Sequence, residues 1–356
     1  MFPDGFFKPA YAYKNEKSIA KKIFVVRLKR LKKSDAVKNP FNAVAEKMKP
    51  LFSAFEAYVR SQVLRFEPEV RDAARDCISP KGKFLRPMLV FASAHAGKFD
   101  KHKIINRASI VELTHLSTLI HDDVIDMADM RRGCMTAGKK YGARTAILLG
   151  DAMFANTIML ALEERDFEMS SRVADAVKTI CEGEIRQTLK KSFENVTRRR
   201  YYNIVYGKTA VLFELSCWLG ASCSGLGKEW ILAASEAGKQ LGIAYQIYDD
   251  VCDWFMSEAD AGKTLGTDMA SGKQTFPLIL LLEKLSPRES AKLAENLTSV
   301  NPLDVAAKMR ELGVPQECAR EFYRRIGLAE KSISSFEKES EMLAEFCGAM
   351  RSLNIG

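Results

Sequence analysis

The chain has 356 residues, of which 47% are hydrophobic and 28% charged, enough apolar material for one large or two ordinary domains. No apolar run approaches the roughly 18 residues of a membrane span and no secretory leader is evident, so we expect a cytoplasmic protein. The net charge of +9 does not indicate a nucleic-acid-binding body, because residues 1–50 hold 13 Lys and Arg against 4 Asp and Glu and the remainder is balanced.

The first 38 residues are expected to form a basic N-terminal arm, followed by one helical domain over residues 39–356. Within the arm, residues 18–33 can place four apolar side chains on one helical face flanked by lysines. One interpretation is a solvated helix that packs on the body. The other is peripheral contact with an anionic membrane surface.

From residue 39 onward the sequence predicts helix after helix, and alternating strand patterns are nearly absent. Breaks fall at Ser79-Pro80, Arg132-Gly133, Gly225-Leu226-Gly227 and Ser286-Pro287. We therefore expect an all-α protein built as a single large helical bundle. The segments with a helical period are 42–66, 83–97, 104–127, 143–164, 170–192, 228–255 and 317–346.

The first chemical signal is an acidic cluster, Asp122-Asp123-Val124-Ile125-Asp126, inside an otherwise apolar helical stretch. Asp122 and Asp126 are four residues apart, so they lie on one helix face a turn from each other. Two carboxylates repel there and are costly to bury unless a cation sits between them. Mg²⁺ prefers carboxylate oxygens and completes its shell with water and substrate phosphates. The cluster indicates a metal site. The alternative is an acidic helix end that is exposed to solvent.

A second acidic cluster, Asp249-Asp250-Val251-Cys252-Asp253, repeats the first in another apolar helical stretch. Asp249 and Asp253 are again one turn apart. Two DDxxD clusters in one helical chain are hard to explain by chance. If they face each other across a bundle, they form a multi-metal clamp for a diphosphate.

Cationic residues flank both clusters. They are Lys83, Arg86, Arg131, Arg132, Lys208, Lys263 and Lys273. Arg suits bidentate phosphate contacts and Lys suits point-charge contacts, so this set fits two anionic substrates, one bound through metal and one bound directly. Gly207-Lys208-Thr209 and Gly262-Lys263-Thr264 look like P-loop ends, but Tyr202 and Ser257 stand where a P-loop needs glycine.

In chain order, seven motifs resemble those of the trans-isoprenyl diphosphate synthase family, which includes farnesyl, geranylgeranyl and longer polyprenyl diphosphate synthases. They are GKFLRP, ELTHLSTLIHDDVID, MRRG, LLGDAMFA, GKTAVLFE, GIAYQIYDDVCD and GKTLGTDMASGKQTFPLI. The resemblance runs from about residue 42 to residue 285, the C-terminal part is only loosely similar, and the basic arm is not part of the family pattern. It implies a bundle of the isoprenoid synthase type with a central active-site cavity.

The resemblance also implies residue roles. The carboxylates that would bind three Mg²⁺ ions are Asp122, Asp126 and Asp249, supported by Asp123, Asp250 and Asp253. The cations that would hold the allylic diphosphate are Arg131, Lys208 and Lys263, and those around isopentenyl diphosphate are Lys83, Arg86, His115 and Arg132. Thr209 and Gln246 would place oxygen atoms near an allylic cation, which gives catalytic roles to Lys208, Thr209, Gln246 and Lys263. Lys273 is similar to a family lysine near the closing loop.

The implied reaction is a head-to-tail, trans condensation by ionisation, condensation and elimination. Mg²⁺ and the cations would stabilise the charge that develops on the leaving diphosphate. The released diphosphate would then take up the proton that is lost in the elimination step. Water must be excluded from the site, because it would quench the allylic cation. The resemblance further suggests a homodimer. The alternatives are a class I terpene cyclase, which typically has a different second metal motif, and a non-catalytic subunit of a heteromeric synthase, which typically loses acidic motifs.

Product length is expected to depend on the residues just before the first cluster. Ser117 and Thr118 lie about 6–8 Å before Asp122 along the helix axis, and we assign them to the tail-facing side. Both are small, so the pocket should be open there, which favours a product of geranylgeranyl length or longer. The floor is then expected deeper, at Phe154 or Met153 on the next helix. The alternative is that another bulky group closes the tunnel at the same level.

Overall fold

The computed structural model describes residues 39–78, 82–131, 133–189, 197–256, 273–297 and 299–355. These residues form an all-α bundle, which confirms the predicted fold class. The predicted basic arm, with its amphipathic segment 18–33, lies outside the described residues.

The first half of the bundle carries the first acidic cluster. Its helices are α1 (Asn42–Lys47), α2 (Lys49–Ser61), α3 (Arg71–Cys77), α4 (Leu85–Ala94), α5 (Lys101–Ile125), α6 (Ala137–Tyr141), α7 (Ala143–Glu163) and α8 (Phe167–Leu189). Two 3₁₀ turns, Gln62–Arg65 and Pro68–Val70, join α2 to α3. A hairpin of β1 (Met130–Arg131) and β2 (Cys134–Met135) joins α5 to α6.

The second half carries the second acidic cluster. Its helices are α9 (Arg198–Val205), α10 (Val211–Cys223), α11 (Lys228–Phe255), α12 (Phe276–Lys284), α13 (Pro287–Asn296), α14 (Pro302–Glu311), α15 (Val314–Ile333) and α16 (Glu341–Arg351). A π-helical turn, Tyr206–Ala210, joins α9 to α10 without a break in the chain direction.

Local signals in the sequence explain where several helices begin. The Asp100 carboxylate accepts hydrogen bonds from the first free N–H groups of α5, His102 at 2.7 Å and Lys103 at 3.3 Å. Ser286 and Glu289 form a capping box at the start of α13, with a proline in the first turn. These caps satisfy backbone donors that a helix start otherwise leaves unpaired.

Packing places α5 and α11, the two helices with acidic clusters, in the middle of the bundle. Helix α11 packs along α10 and α15, α5 packs along α7, and α10 also contacts α5. The core is filled by large side chains such as Phe91, Phe213 and Trp230, all buried. Each such side chain contributes about 1.5–3 kcal/mol when it leaves water. The acidic clusters are therefore held by well-packed helices.

Most predicted segments are observed, but two of them are divided. The segment 42–66 is divided at Met48 into α1 and α2 and ends in a 3₁₀ turn. The segment 228–255 coincides with α11. By contrast, 317–346 is split into α15 and α16, because the chain turns between Ile333 and Glu341. The break escaped detection because apolar side chains continue on both sides of it, so the helical period looks continuous.

Helix α7 is long and apolar enough to cross a membrane, judged by length and composition alone, and 44% of its most apolar stretch is buried in the bundle. This finding corrects the expectation that no apolar run approaches membrane-spanning length. The helix packs along α5 and α8, so core burial accounts for part of its apolar character. Its other face is exposed.

Candidate active site

The first acidic cluster closes helix α5. Asp122 lies in the last turn of the helix and is half-buried, and Asp126 caps the helix and is exposed. Asp123 is buried and accepts a hydrogen bond from Nε of Arg131 at 2.7 Å. The helix therefore presents the Asp122 and Asp126 carboxylates one turn apart, as their spacing predicts, while the Asp123 carboxylate is bonded to the neighbouring hairpin.

The β1–β2 hairpin returns Arg131 to the first cluster. Arg131 pairs with Cys134 across the hairpin, and Gly133 makes the turn with a φ of 75°. This left-handed conformation suits glycine, because it has no Cβ atom to clash with the backbone. The ion pair with Asp123 holds the guanidinium beside the cluster. A contact of Arg131 with diphosphate stays a prediction, and Arg132 lies outside the described residues.

The second acidic cluster lies in the last two turns of α11. Asp249 is half-buried, and Asp250 and Asp253 are buried. The Asp250 carboxylate accepts hydrogen bonds from the Tyr201 hydroxyl at 2.8 Å, from Nε2 of Gln246 at 2.8 Å and from the first backbone N–H of α12 at 2.9 Å. These donors stabilise the buried carboxylate of Asp250, which thereby links α9, α11 and the start of α12.

A short segment before α12 connects the two clusters. Nζ of Lys273 lies 3.0 Å from Oδ2 of Asp126. Two residues later, Oγ1 of Thr275 accepts a hydrogen bond from Nε1 of Trp254 at 2.8 Å. Together with the contact to Asp250, these bonds tie the segment to α11 on one side and to the first cluster on the other. Both acidic clusters therefore lie at the same end of the bundle. Lys263 lies outside the described residues.

Lys208 lies in the π-helical turn between α9 and α10. Its Nζ donates to Oε2 of Glu184 at 2.7 Å and to Oε1 of Gln187 at 3.0 Å, both on α8. The next residue, Thr209, donates its hydroxyl proton to Oε1 of Gln246 at 2.7 Å. A π turn inserts one extra residue into the helical ladder and is frequent at functional sites. Here it directs two consecutive side chains to different helices.

The charges of the site perturb one another. Burial raises the pKa of Asp122, Lys208 opposes this rise, and the carboxylates of Glu184 and Asp126 add to it. Burial would lower the pKa of Lys208, but the carboxylates of Asp122 and Glu184 raise it, and the net direction is upward. The Lys208 ammonium therefore stays charged at neutral pH and balances part of the negative charge around Asp122.

Lys83 and Arg86 lie at the start of α4, which packs against α5 and α10. Phe84, immediately before the helix, has a φ of 48°, an uncommon conformation for a residue other than glycine. Lys83 is exposed, and the Arg86 guanidinium lies over the ring of Phe213, 5.1 Å from its centroid. His115 is half-buried in α5. Contacts of these residues with isopentenyl diphosphate stay predictions.

The candidates for product-length control lie between α5 and α7. Ser117 is fully buried and its Oγ donates to the carbonyl oxygen of Gly150 at 2.6 Å, which corrects the expectation that it projects into an open tail pocket. The reason is helical geometry: five residues span about 500°, which puts Ser117 far from the Asp122 face, whereas four residues bring Thr118 close to it. Thr118 is half-buried and bonds to its own helix.

Phe154 is half-buried, and its ring centroid lies 5.7 Å from that of His121. His121 directly precedes the first acidic cluster, so Phe154 lies level with the cluster. This position corrects the expectation that Phe154 forms a floor deep below it. Phe154 lies on the neighbouring helix, as predicted. Its level relative to the acidic cluster depends on the register of α7 against α5, which the sequence does not show.

Sequence reasoning missed three residues of the site, namely Glu184, Gln187 and Tyr201. A signal existed for Gln187, because Ile180 and Gly183 are buried on α8 and Gln187 continues their face at helical spacing. A polar residue on such a face calls for a partner. Tyr201 had no comparable signal, since its partner Asp250 is 49 residues further along the chain.

The acidic clusters suit Mg²⁺ that is held largely by water and phosphate. Among the residues that the structure describes, no group of three or more Asp, Glu, His or Cys side chains is arranged to hold a metal ion by itself. Mg²⁺ usually keeps several waters and takes one or two carboxylates plus substrate phosphates. One or two carboxylates from each cluster therefore fit Mg²⁺ better than a metal that needs a closed protein cage.

Comparison with known proteins gives one consistent result. A family model described as polyprenyl synthetase matches residues 67–312. The chain is 32% identical over 214 residues to octaprenyl diphosphate synthase of Haemophilus influenzae, and the match covers 60% of this chain and 65% of that protein, a little under two thirds. It is also 32% identical over 237 residues to heptaprenyl diphosphate synthase component 2 of Bacillus subtilis, covering 67% of this chain and 68% of that protein.

Among solved structures, the chain resembles a polyprenyl synthase from Caulobacter crescentus complexed with calcium and isoprenyl diphosphate. The TM-score is 0.77 at 26% sequence identity, and the match covers 90% of this chain and 100% of the C. crescentus chain. The structural likeness thus extends over more of the chain than the sequence match does.

Proposed function

Because this chain belongs to the polyprenyl synthetase family, we propose that it is a trans-prenyltransferase that joins isopentenyl diphosphate to an allylic diphosphate head to tail. The observation that carries the proposal is the meeting of two DDxxD clusters at one end of the bundle, bridged by the contact of Lys273 with Asp126. A class I terpene cyclase typically lacks the second such cluster. A non-catalytic subunit typically loses acidic residues, and this chain has both clusters intact.

We propose Mg²⁺ as the cofactor, with three ions held by Asp122, Asp126 and Asp249 and with Asp123, Asp250 and Asp253 in support. When bound, Mg²⁺ would neutralise the negative charge that develops on the leaving diphosphate. The structure of the C. crescentus polyprenyl synthase, complexed with calcium and isoprenyl diphosphate, supports a divalent cation and a diphosphate at this kind of site.

The chain's own cations would act on the same charge. Lys208 is charged and half-buried, and a charge in a partly buried site interacts more strongly than one in water. Arg131 lies beside the first cluster and Lys273 lies on it. These groups are fixed before the substrate binds, so little reorganisation is needed when the C–O bond of the allylic diphosphate breaks. Lys263 is proposed to join them.

Thr209 and Gln246 are proposed to stabilise the allylic cation with oxygen atoms, and the double bond of isopentenyl diphosphate then attacks it. The proton lost in the final step is proposed to go to the released diphosphate. Arg86, Lys83, His115 and Arg132 are proposed to hold isopentenyl diphosphate on the α4 side of the site, while cavity walls exclude the water that would otherwise quench the cation.

We propose a product of geranylgeranyl length or longer. The relatives include proteins named octaprenyl and heptaprenyl diphosphate synthases. Thr118, which lies near the Asp122 face of α5, is small and leaves room for a prenyl tail there. Chain-length analysis of the product decides this part of the proposal.

A second copy of this chain is proposed to cover the outer face of α7. Leu148 is 63% exposed, Met159 is 52% exposed and Leu162 is 53% exposed, although the helix is strongly apolar. Their spacing puts them on one face. An exposed apolar face of this kind usually marks an interface. Because a relative is named as component 2 of a synthase, a different partner chain is the second candidate for this face.

The location of the protein and the role of its arm are also proposals. We propose a cytoplasmic protein whose basic residues 1–38 either pack on the body or contact an anionic membrane surface. The positive charge of this part of the chain supports such a contact.

The test is an assay of the purified chain with Mg²⁺, an allylic diphosphate and labelled isopentenyl diphosphate. Elongated prenyl diphosphates are the expected products. A cyclic hydrocarbon would identify a cyclase. Activity that appears only after a second, different chain is added would identify a subunit of a heteromeric enzyme.

A further inference from the structure

We infer that Tyr201 is a positioning residue for the proposed prenyl transfer, acting through Asp250 on Gln246 and Thr209. The inference rests on the proposed function. Its geometric basis is a continuous chain of hydrogen bonds: the Tyr201 hydroxyl to Asp250 at 2.8 Å, Gln246 to Asp250 at 2.8 Å and Thr209 to Gln246 at 2.7 Å. The chain links α9, α11 and the π-helical turn.

The carboxylate of Asp250 sets the direction of every bond in this chain. An ionised carboxylate can only accept, so Gln246 must turn its NH₂ group toward Asp250. The carbonyl oxygen of Gln246 then faces Thr209, which must donate its only hydroxyl proton to it. The Thr209 oxygen is left with lone pairs alone for a neighbour on its other side. Lone pairs attract an allylic cation, whereas a hydroxyl proton directed at the cation would repel it.

Tyr201 keeps the Asp250 carboxylate in place. The tyrosine is 4% exposed, and its ring lies against that of Phe276, with centroids 5.2 Å apart. Its hydroxyl and the backbone N–H of Phe276 both bond to Oδ2 of Asp250, while Gln246 bonds to Oδ1. Without the hydroxyl, Oδ2 loses the donor that comes from α9, and the carboxylate can rotate away from Gln246.

The same carboxylate also anchors the segment that carries Lys273. The N–H of Phe276 bonds to Asp250 at 2.9 Å, and three residues earlier Lys273 reaches Asp126. Loss of the Tyr201 hydroxyl should therefore loosen this anchor as well as the bond to Gln246. The Phe276 amide reports on the anchor directly, because its hydrogen exchanges with solvent only when the bond opens.

The experiment compares Tyr201→Phe with Tyr202→Phe. Tyr202 is a matched control: it is the adjacent tyrosine on the same helix, and its hydroxyl donates to Glu321 on α15 at 2.8 Å instead of to Asp250. Tyr201→Phe should lower kcat about tenfold, the factor that corresponds to one hydrogen bond of about 1.4 kcal/mol, with KM for both substrates nearly unchanged. Exchange of the Phe276 amide should become about tenfold faster. Tyr202→Phe should change neither quantity.

A second variant breaks the chain at a different point. Gln246→Met keeps about the size of the side chain but removes both the NH₂ donor to Asp250 and the oxygen that accepts from Thr209, so kcat should fall, while the bond between Tyr201 and Asp250 should keep the Phe276 amide protected. Wild-type kcat in Gln246→Met would overturn the inference. So would an equal loss in Tyr201→Phe and Tyr202→Phe, or unchanged Phe276 exchange in Tyr201→Phe.

Failure of the proposed function would look different. The wild-type protein would then elongate no allylic diphosphate, whereas the contrast in amide exchange between Tyr201→Phe and Tyr202→Phe would still be measured. A contrast in exchange supports Asp250 as the anchor of this segment even in that case, and its absence overturns the anchor.

Discussion

The close contact between α8 and the π-helical turn depends on Gly183. A Cβ atom at this position would lie 2.9 Å from the carbonyl carbon of Gly207 and 3.0 Å from the amide nitrogen of Lys208. Both are backbone atoms, so a change of rotamer cannot relieve the clash in Gly183→Ala. The helix and the turn must move apart instead. Because Glu184 bonds to Lys208 at 2.7 Å, this movement acts directly on the cation of the site.

The size of the effect follows from opposing contributions. Alanine is favoured over glycine inside a helix by about 1 kcal/mol. Overpacking a tight contact costs about 1–3 kcal/mol, and weakening the hydrogen bond between Glu184 and Lys208 costs about 1 kcal/mol more. The clash therefore wins, with a net loss of about 1–3 kcal/mol. At an unfolding entropy of about 2.1 cal/mol/K per residue, this loss corresponds to a fall in Tm of about 1–4 °C.

The assay is thermal unfolding of Gly183→Ala beside Gly348→Ala, together with turnover of both proteins. Gly348 lies in α16, and a Cβ atom there would meet nothing within 4 Å. The control should therefore gain the helix-propensity term alone, with a Tm about 1 °C higher and unchanged turnover. A Gly183→Ala protein with a raised Tm and wild-type turnover would refute the reasoning, since it would show that α8 and the turn tolerate a methyl group between them.

Other parts of the site give further expected outcomes. Arg86→Ala should raise the KM for isopentenyl diphosphate more than the KM for the allylic substrate, and Lys208→Ala should raise the KM for the allylic substrate more. Steady-state kinetics in which both KM values rise equally in both variants would contradict the two-site assignment. Thr118→Phe should shorten the product. Ser117→Phe removes a buried hydrogen bond, so it should mainly lower the Tm by several degrees. Product analysis and melting curves of both variants distinguish the two effects. Burial would raise the pKa of Glu321, but neighbouring guanidinium groups lower this pKa from 4.5 to about 2. The ionised form of Glu321 therefore stabilises the fold above pH 4.5, and this contribution is lost as the pH falls toward 2. Acid unfolding should therefore show the largest stability difference between the wild type and Glu321→Gln above pH 4.5, and this difference should shrink as the pH falls from 4.5 toward 2.

The sequence was sufficient to predict features that follow from local periodicity. The segment 228–255 matches α11 because a long amphipathic pattern, a glycine pair before it and an acidic cluster near its end all agree. The carboxylates of Asp122 and Asp126 share a face because helical geometry requires it. Neither conclusion depends on what packs against the helix.

Features that depend on packing between distant segments could not be predicted. Whether Ser117 points at a pocket or at Gly150 depends on the register of α5 against α7. Tyr201 belongs to the site only because α9 crosses α11 at Asp250. The π-helical turn arises where one extra residue must fit between α9 and α10, a strain that no local pattern reveals.

The central claim is that both acidic clusters act on one diphosphate. Its most direct test is the kcat of Asp122→Asn, of Asp249→Asn and of the double variant, measured with Mg²⁺, an allylic diphosphate and isopentenyl diphosphate. If the clusters form one clamp, each single variant should lose about a thousandfold or more in kcat, and the double variant should lose little beyond that, because groups that act as a unit are not additive. Near-normal kcat in either single variant, or losses that multiply in the double variant, would contradict the claim.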